Sequence, residues 1–290
     1  TQGVSSAASD VYKRQIYSDT LFLLSLNNPF KCYGIYDLNN KLEAGICILE
    51  NAEDKTAYAV PFPYVPYQSI LFNEEITKLK EHKKNAYKFR LTEFLINNLI
   101  KIYPNLSLIL KHGDYDLRPF LWHNYHIAHA PKFSIQPRYT AILDVENFDR
   151  AQYLSNIRTV RRQEIKKSKA IFSLSDDIDQ FMRLYGKTFS RQDIAIDEQN
   201  FSLVKNICES ALKNNYGILT QASLPEGVAS MSLFLFDRMA AYYQFGANDP
   251  VFRSSGASAA LMFESISLLA ERGINLIDFV GVNSPSRGDY

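Results

Sequence analysis

Between Arg253 and Ser258 the chain reads Arg-Ser-Ser-Gly-Ala-Ser, one cation followed by five small residues, at a point where one periodicity gives way to another. The run before it, Ala241 to Ala247, is strand-like and apolar, and Asn248-Asp-Pro250 interrupts it with turn chemistry. After it, Leu261, Met262, Ser265, Ile266, Leu269 and Ala270 recur at three- and four-residue steps, which predicts an amphipathic helix opening at Gly256 and ending at Gly273. The first amide N–H groups of a helix lack an internal acceptor and carry partial positive charge, so small side chains there let a phosphate approach the backbone. Arg253 can add a fixed cation. The same six residues also serve as ordinary helix-capping chemistry, and taken alone they leave both readings open.

The elements that would position this turn follow from the same patterns. Asn275-Leu-Ile-Asp-Phe-Val280 reads as a second strand, and a crossover through a helix of that length makes the two strands parallel and adjacent. Tyr216 to Ala222, Val228 to Phe236 and Ala240 to Ala247 precede the turn as three strands. The first half has the same order. Cys32 to Asp37 and Leu42 to Glu50 flank a hairpin turn, strands follow near Thr56 to Val60 and Gln68 to Phe72, and a helix stripe runs from Phe89 to Ile102 before a strand over Leu106 to Leu110. The duplication lies in element order alone.

Composition sets the outer bounds. The chain has 290 residues, 46% of them hydrophobic, which is enough for two ordinary domains. A net charge of +1 and a pI near 7.6 carry no global signal for nucleic acid or a membrane surface. Cys32, Cys47 and Cys208 are odd in number and far apart, which speaks against a disulfide framework or a zinc site and for a reducing cytoplasm. No apolar run reaches the roughly 18 residues needed to span a bilayer. Thr1 to Gln15 resembles translated adapter sequence and is set aside from fold reasoning. The stop at Tyr290, soon after Val280, suggests a missing carboxyl-terminal element. The division expected is a leader over 1–15, a first unit over 16–148 and a second over 149–290.

Three other clusters have a functional and a bland reading. A helix starting near Asp149 would carry Arg158, Arg162, Lys166 and Lys169 on one face and Leu154, Ile157 and Val160 on another; this is a solvated face or a surface for an acidic partner. His123, His126 and His129 recur every third residue, but no matching carboxylate or thiolate accompanies them, so no metal is expected and the segment reads as an aromatic-rich wall. Pro61-Phe-Pro-Tyr64-Val-Pro-Tyr67 reads as a rigid loop over a sheet edge.

With its flanking strands, the Arg253–Ser258 turn resembles the coenzyme A pyrophosphate site of the GNAT acyltransferase superfamily. That site is written Arg or Gln, two residues, Gly, one residue, then Gly or Ala; here the last place is Ser258. Two such units in tandem resemble the FemAB-type and CelD-type double-GNAT branch. The likeness spans about Tyr33 to Gly288 and is most specific over Leu154–Lys167, Phe181–Gln192 and Gly256–Gly281, ending in Asp278-Phe-Val-Gly281. The resemblance implies an α/β fold of two tandem GNAT-like units, mixed sheets flanked by helices, the second unit truncated at its carboxyl end.

It also implies a bacterial cytoplasmic N-acyltransferase. Such an enzyme moves an acyl group from acyl-CoA, without a metal, to an amine on a small molecule or cell-wall precursor. Donor contacts would come from Arg253, Ser254, Ser255, Gly256, Ala257 and Ser258, acceptor or phosphate contacts from Arg158, Arg162, Tyr64 and Tyr67, and proton handling from Asp278 and Tyr243, with Tyr242 and Glu264 as further candidates. Alternatives are an aminoacyl-tRNA-dependent ligase acting on a cell-wall precursor, and a non-catalytic binding module with the same fold. DNA is not among the implied partners.

Overall fold

Asp37 turns the first hairpin. Its carboxylate accepts the N–H groups of Asn39 and Lys41 at 2.8 and 2.9 Å, and Asn40 takes the left-handed backbone that Asn tolerates, φ 60°. In this computed structural model, which describes residues 15–57, 62–113, 116–190, 197–238 and 240–281, the turn joins β1 (Phe30–Tyr36) to β2 (Leu42–Leu49). A two-residue β3 (Leu71–Phe72) adds to β2, and all three strands pair antiparallel in the order β1-β2-β3. The chain divides into one unit over 1–138 and another over 139–290.

In the first unit, α1 (Thr20–Ser25) and α2 (Glu74–Thr77) are short, and α3 (Glu81–Ile102) supplies the main helix. Leu91, Leu95, Ile96 and Leu99 of α3 form the core with Ala44, Ile46 and Ile48 of β2. Leu91, Leu95 and Leu99 belong to the stripe expected from Phe89 to Ile102, but Phe94 and Ile102 of that stripe are exposed and Ile96 takes a core place instead. A fully buried Leu or Ile contributes roughly 1.5–3 kcal/mol, so this stripe is the unit's main adhesive. A short α4 (Arg118–Trp122) follows.

The sequence expectations fail here in three places. Leu106–Leu110 is not a strand: Leu106, Leu108 and Leu110 pack on the core, and the Gln68 N–H donates to the Ile109 carbonyl without a regular ladder. Burial satisfies the alternation without a partner strand. Of Gln68–Phe72, only Leu71 and Phe72 pair. Ala57 makes an isolated bridge to Glu50, and residues 58–61 lie outside the described residues, as do Thr1–Arg14 of the adapter-like leader. Cys32 and Cys47 are not separate thiols; the hairpin sets them directly opposite in register, Cα atoms 4.1 Å apart, and they form a disulfide. Cys208 stays a buried free thiol, and burial pushes its pKa up.

The second unit has a six-stranded sheet, β4 (Ile142–Asp144), β5 (Ile171–Ser175), β6 (Gly217–Leu224), β7 (Gly227–Phe236), β8 (Ala240–Asn248) and β9 (Leu276–Asp278), ordered β4-β9-β8-β7-β6-β5. All neighbours are antiparallel except β8 and β9, whose crossover helix makes them parallel as expected. The unit begins ahead of position 149 because Ile142–Asp144 pairs with β9.

The helix expected from Asp149 is two helices, α5 (Arg150–Asn156) and α6 (Thr159–Lys167). Ile157 is extended, ψ 158°, and Arg158 caps α6 from outside it. Ser155 and Asn156 end α5, and the Arg162 guanidinium donates to the Ser155 carbonyl at 3.1 Å, which holds the break. The four cations therefore do not all lie on one helix: Arg162 and Lys166 stand four residues apart on α6, Arg158 is its N-cap and Lys169 lies beyond its end, and Val160 is 64% exposed instead of part of a buried stripe. Three helices complete the unit: α7 (Ile178–Ser190), α8 (Glu198–Lys213) and α9 (Ala257–Glu271). Among the described residues no helix is long and apolar enough to cross a membrane.

Candidate active site

The site begins where β8 and β9 part. Among the described residues they pair over Ala240–Tyr242 and Leu276–Asp278, after which β8 runs on through Asn248 paired with β7. Along that stretch the β7–β8 register shifts: Leu233 opposes Phe245 but Phe234 opposes Tyr243, so Gln244 is an extra residue, a β-bulge. A bulge beside a parting strand pair re-aims backbone N–H groups away from the ladder, where they can meet a ligand carbonyl.

The far end of β8 is tied down before the turn. Thr188 Oγ1 of α7 accepts the Asn248 N–H at 2.8 Å and donates to its carbonyl at 3.1 Å. Asp249 accepts from the Val251 N–H at 3.0 Å and from Lys187 Nζ at 2.7 Å, and the Lys187 hydrogen bond holds its carboxyl below the usual range. A 3-10 turn over Pro250–Phe252 then delivers Arg253.

At the mouth of α9, Ser255 donates from Oγ to the Phe252 carbonyl and accepts the Ala257 N–H at 3.2 Å, so it is a cap. Among the described residues the Ser258 and Ala259 N–H groups meet no acceptor, and Ala260 is the first to bond back into the helix, through the Gly256 carbonyl. Arg253, Ser254 and Ser258 are exposed; Ser255 and Gly256 are half-buried, and Ala257 is buried. The turn thus divides the two readings between its residues, with Ser255 and Ala257 serving the cap while Ser258 and Ala259 keep open donors beside Arg253.

Gly256 has a structural reason of its own. Its backbone is left-handed, φ 72°, and a Cβ would lie 2.5 Å from the Glu164 carbonyl of α6. Between α6, β5, β6 and the first turns of α9 lies a pocket of about 260 Å³, lined mainly by Ile165, Phe172, Ala260 and Leu261. It falls just below the roughly 300–1,000 Å³ usual for ligand sites.

Tyr243 and Asp278 are not brought together. Tyr243 packs with Ala241, Ile277 and Phe279 toward Ile266 and Leu269 of α9. Tyr242 is the residue in register with Asp278, and strand alternation turns both to the opposite face. Asp278 is buried; it accepts from the Thr140 hydroxyl and from the Val280 N–H at 2.9 Å, which binds the end of β9 to the residues before β4. Burial raises the Tyr243 phenol, while a Ser232 hydrogen bond works the other way, so Tyr243 is a proton donor rather than a base near neutral pH. The bulge residue Gln244 and Ser232 escaped sequence reasoning, because a bulge leaves no mark in an apolar run.

The other candidates are scattered. Glu264 is held by Arg150 through two hydrogen bonds, 2.7 and 3.0 Å, with the guanidinium over the Phe263 ring at 4.4 Å. Tyr242 is fully buried and donates to Asp237 at 2.9 Å. Arg162 caps α5, whereas Arg158, Lys166, Lys167 and Lys169 are exposed. In the first unit Tyr67 is a core residue, edge-on to Tyr17, and Tyr64 is half-buried with φ 63°. His123 bonds Asn97 and Asn124 and stands edge-on to Phe133.

Residues 150–290 match the acetyltransferase (GNAT) domain family. No curated protein matches the chain significantly in sequence. Among solved structures, FemX is similar over 100% of this chain and 90% of its own, with 12% identity and a TM-score of 0.65. A conserved protein of unknown function from Bacteroides thetaiotaomicron is similar over 95% and 83%, with 10% identity and a TM-score of 0.54. L-PGS from Bacillus licheniformis is similar over 96% and 74%, with 11% identity and a TM-score of 0.52. At these identities the likeness is one of fold. The α/β GNAT-type fold expected from the sequence is borne out, and FemX shares that fold over the whole chain.

Proposed function

We propose that the chain is an N-acyltransferase that takes an acyl group from acyl-CoA and places it on an amine. The observation that carries this reading is the coincidence, at one end of β8, of the bulge at Gln244 with two unbonded N–H groups at the mouth of α9. The pyrophosphate would rest on the Ser258 and Ala259 N–H groups with Arg253 beside it, and the thioester would lie alongside β8 near its bulge. A neutral amine attacks the carbonyl carbon and a backbone N–H near Gln244 steadies the oxyanion; as the carbon–sulfur bond breaks, Tyr243 gives its proton to the departing thiolate, and the surplus proton of the new amide nitrogen passes through solvent to restore the Tyr243 phenol. Asp278 positions the end of β9 and does not touch the reacting atoms. The acceptor is an amine of a small molecule or cell-wall precursor.

Titration calorimetry with acetyl-CoA tests the donor site, and release of free thiol in the presence of amine mixtures tests turnover. Absence of binding would remove the proposal. Binding without turnover of any thioester would leave the non-catalytic module. An aminoacyl-tRNA donor is the second reading, favoured by the exposed cations Arg158, Lys166, Lys167 and Lys169, for which no carboxylate partner occurs among the described residues. It predicts tRNA binding that weakens with salt and with Arg158→Ala.

A further inference from the structure

Exposed apolar side chains crowd one stretch of the first unit. Leu117, Leu121 (52% exposed), Trp122 (55%), Tyr125 (62%) and Ile127 (57%) fall within eleven residues, and Ile135 follows. From Leu117 to Arg138 the chain contains no Asp or Glu, but it does contain Arg118, Lys132, Arg138 and three histidines. In a protein whose net charge is +1, this is a strong local bias. The flanking acids are few. Asp116 pairs with Arg118, and Glu93 lies exposed on α3, whose Asn97 bonds His123. Lys132 reaches only the Tyr125 carbonyl, 3.3 Å, and the Tyr125 ring.

Scattered exposed apolar residues are normal on a soluble protein, but this many along one segment that carries cations and no carboxylate of its own has the composition of an interaction surface, Asp114 and Asp116 lying just before it in sequence. Trp, Tyr and aliphatic side chains beside Lys and Arg match the chemistry of a bilayer interface, where rings and alkyl groups enter the headgroup region and cations meet anionic lipid. We propose that residues 117–138 form a peripheral membrane-binding surface, with Leu121, Trp122, Tyr125 and Ile127 entering an anionic leaflet and Lys132 and Arg138 contacting its headgroups.

Single-stranded RNA fits less well, because base stacking needs open ring faces. Phe89 stands against Trp122 at 5.7 Å and Arg118 lies over its ring at 5.4 Å, while Tyr125 has His126 at 5.1 Å and Lys132 above it. RNA would also leave Leu121 and Ile127 without a role.

Trp122 is the single tryptophan of the chain, so its fluorescence reports on this segment directly. The full chain is mixed with phosphatidylcholine vesicles, with vesicles in which roughly one third of the lipid is phosphatidylglycerol, and with an RNA oligonucleotide. The proposal expects co-sedimentation and a blue shift of emission with anionic vesicles, both weakened by salt. Lys132→Glu with Arg138→Glu should lower partitioning by roughly tenfold or more, at about fivefold per cation removed. Leu121→Ser with Ile127→Ser should lower it as well, with far-UV circular dichroism unchanged because both sites are exposed. If that pair disturbs the fold, the charge-reversal pair decides. No sedimentation and no shift with either vesicle overturns the proposal. So does a response to RNA but not to anionic lipid, or a lipid-independent shift that rises with protein concentration and marks self-association.

Discussion

Gly256 and Glu164 meet backbone to backbone, so closely that a methyl on Gly256 would lie 2.5 Å from the Glu164 carbonyl. The glycine of the phosphate-site pattern is thus required by the packing of α6 on α9, whatever binds at the turn. Gly256→Ala should lower stability by about 1–3 kcal/mol, from left-handed backbone strain and displacement of α6. Thermal unfolding without any ligand checks this; an unchanged melting temperature would mean that α6 yields freely. Loss of coenzyme A binding in that variant would say nothing about phosphate contact.

Ser258→Asp separates the two readings of the turn. A carboxylate in the first turn of α9 favours the helix by about 0.3–1 kcal/mol, yet it repels a phosphate a few ångströms away by more than that. The expected outcome is an equal or higher melting temperature with affinity for coenzyme A reduced roughly tenfold or more. Equal affinity would show that no anion rests there.

Tyr243 and Asp278 should differ in kind when replaced. Tyr243→Phe removes a proton donor on the α9 face and should lower kcat by roughly 10²–10⁴ with little change in melting temperature. Asp278→Ala leaves the Thr140 hydroxyl and the Val280 N–H without their acceptor, which costs about 1–3 kcal/mol of stability. Paired melting curves and steady-state kinetics read both effects; a stable but inactive Asp278→Ala would return that residue to the chemistry.

The cysteines make a countable prediction. Thiol titration of the oxidised protein should find none accessible when folded and one when unfolded, that of Cys208, rising to three after reduction. Closing a loop of sequence separation 15 stabilises by roughly 3 kcal/mol in the chain-entropy account, so reduction should lower the melting temperature of the first unit. Three thiols before reduction would refute the bond.

Acid should act partly through Asp249. Its carboxyl titrates below the usual range because Lys187 hydrogen-bonds it. A depressed folded value means that its contribution is complete above the unfolded value of about 3.9 and is lost as pH falls through the lower folded value. Stability should therefore fall below about pH 4, and less steeply in Asp249→Asn, which denaturant titrations across that range would detect.

The elements nearest the turn were legible in the sequence because two strong periodicities met there: the three- and four-residue steps of α9, and the apolar runs of β8 and β9. The break at Ile157 was not, since Thr159–Lys167 and Arg150–Asn156 are both compatible with helix and what separates them is Arg162 reaching back to Ser155. Leu106, Leu108 and Leu110 alternate as a strand would, yet the alternation records burial alone. The Cys32–Cys47 bond was hidden because pairing depends on hairpin register, not on distance along the chain. The separation of Tyr243 from Asp278 followed from which residue of β8 stands level with β9, a parity that composition does not encode.

The cross-link between Cys32 and Cys47 encloses the hairpin tip, where Leu38 stands fully in solvent. A protease cutting at Leu38 would open the peptide chain without freeing either piece. The nicked molecule would migrate at full length on a non-reducing gel and separate into two fragments only after a thiol was added.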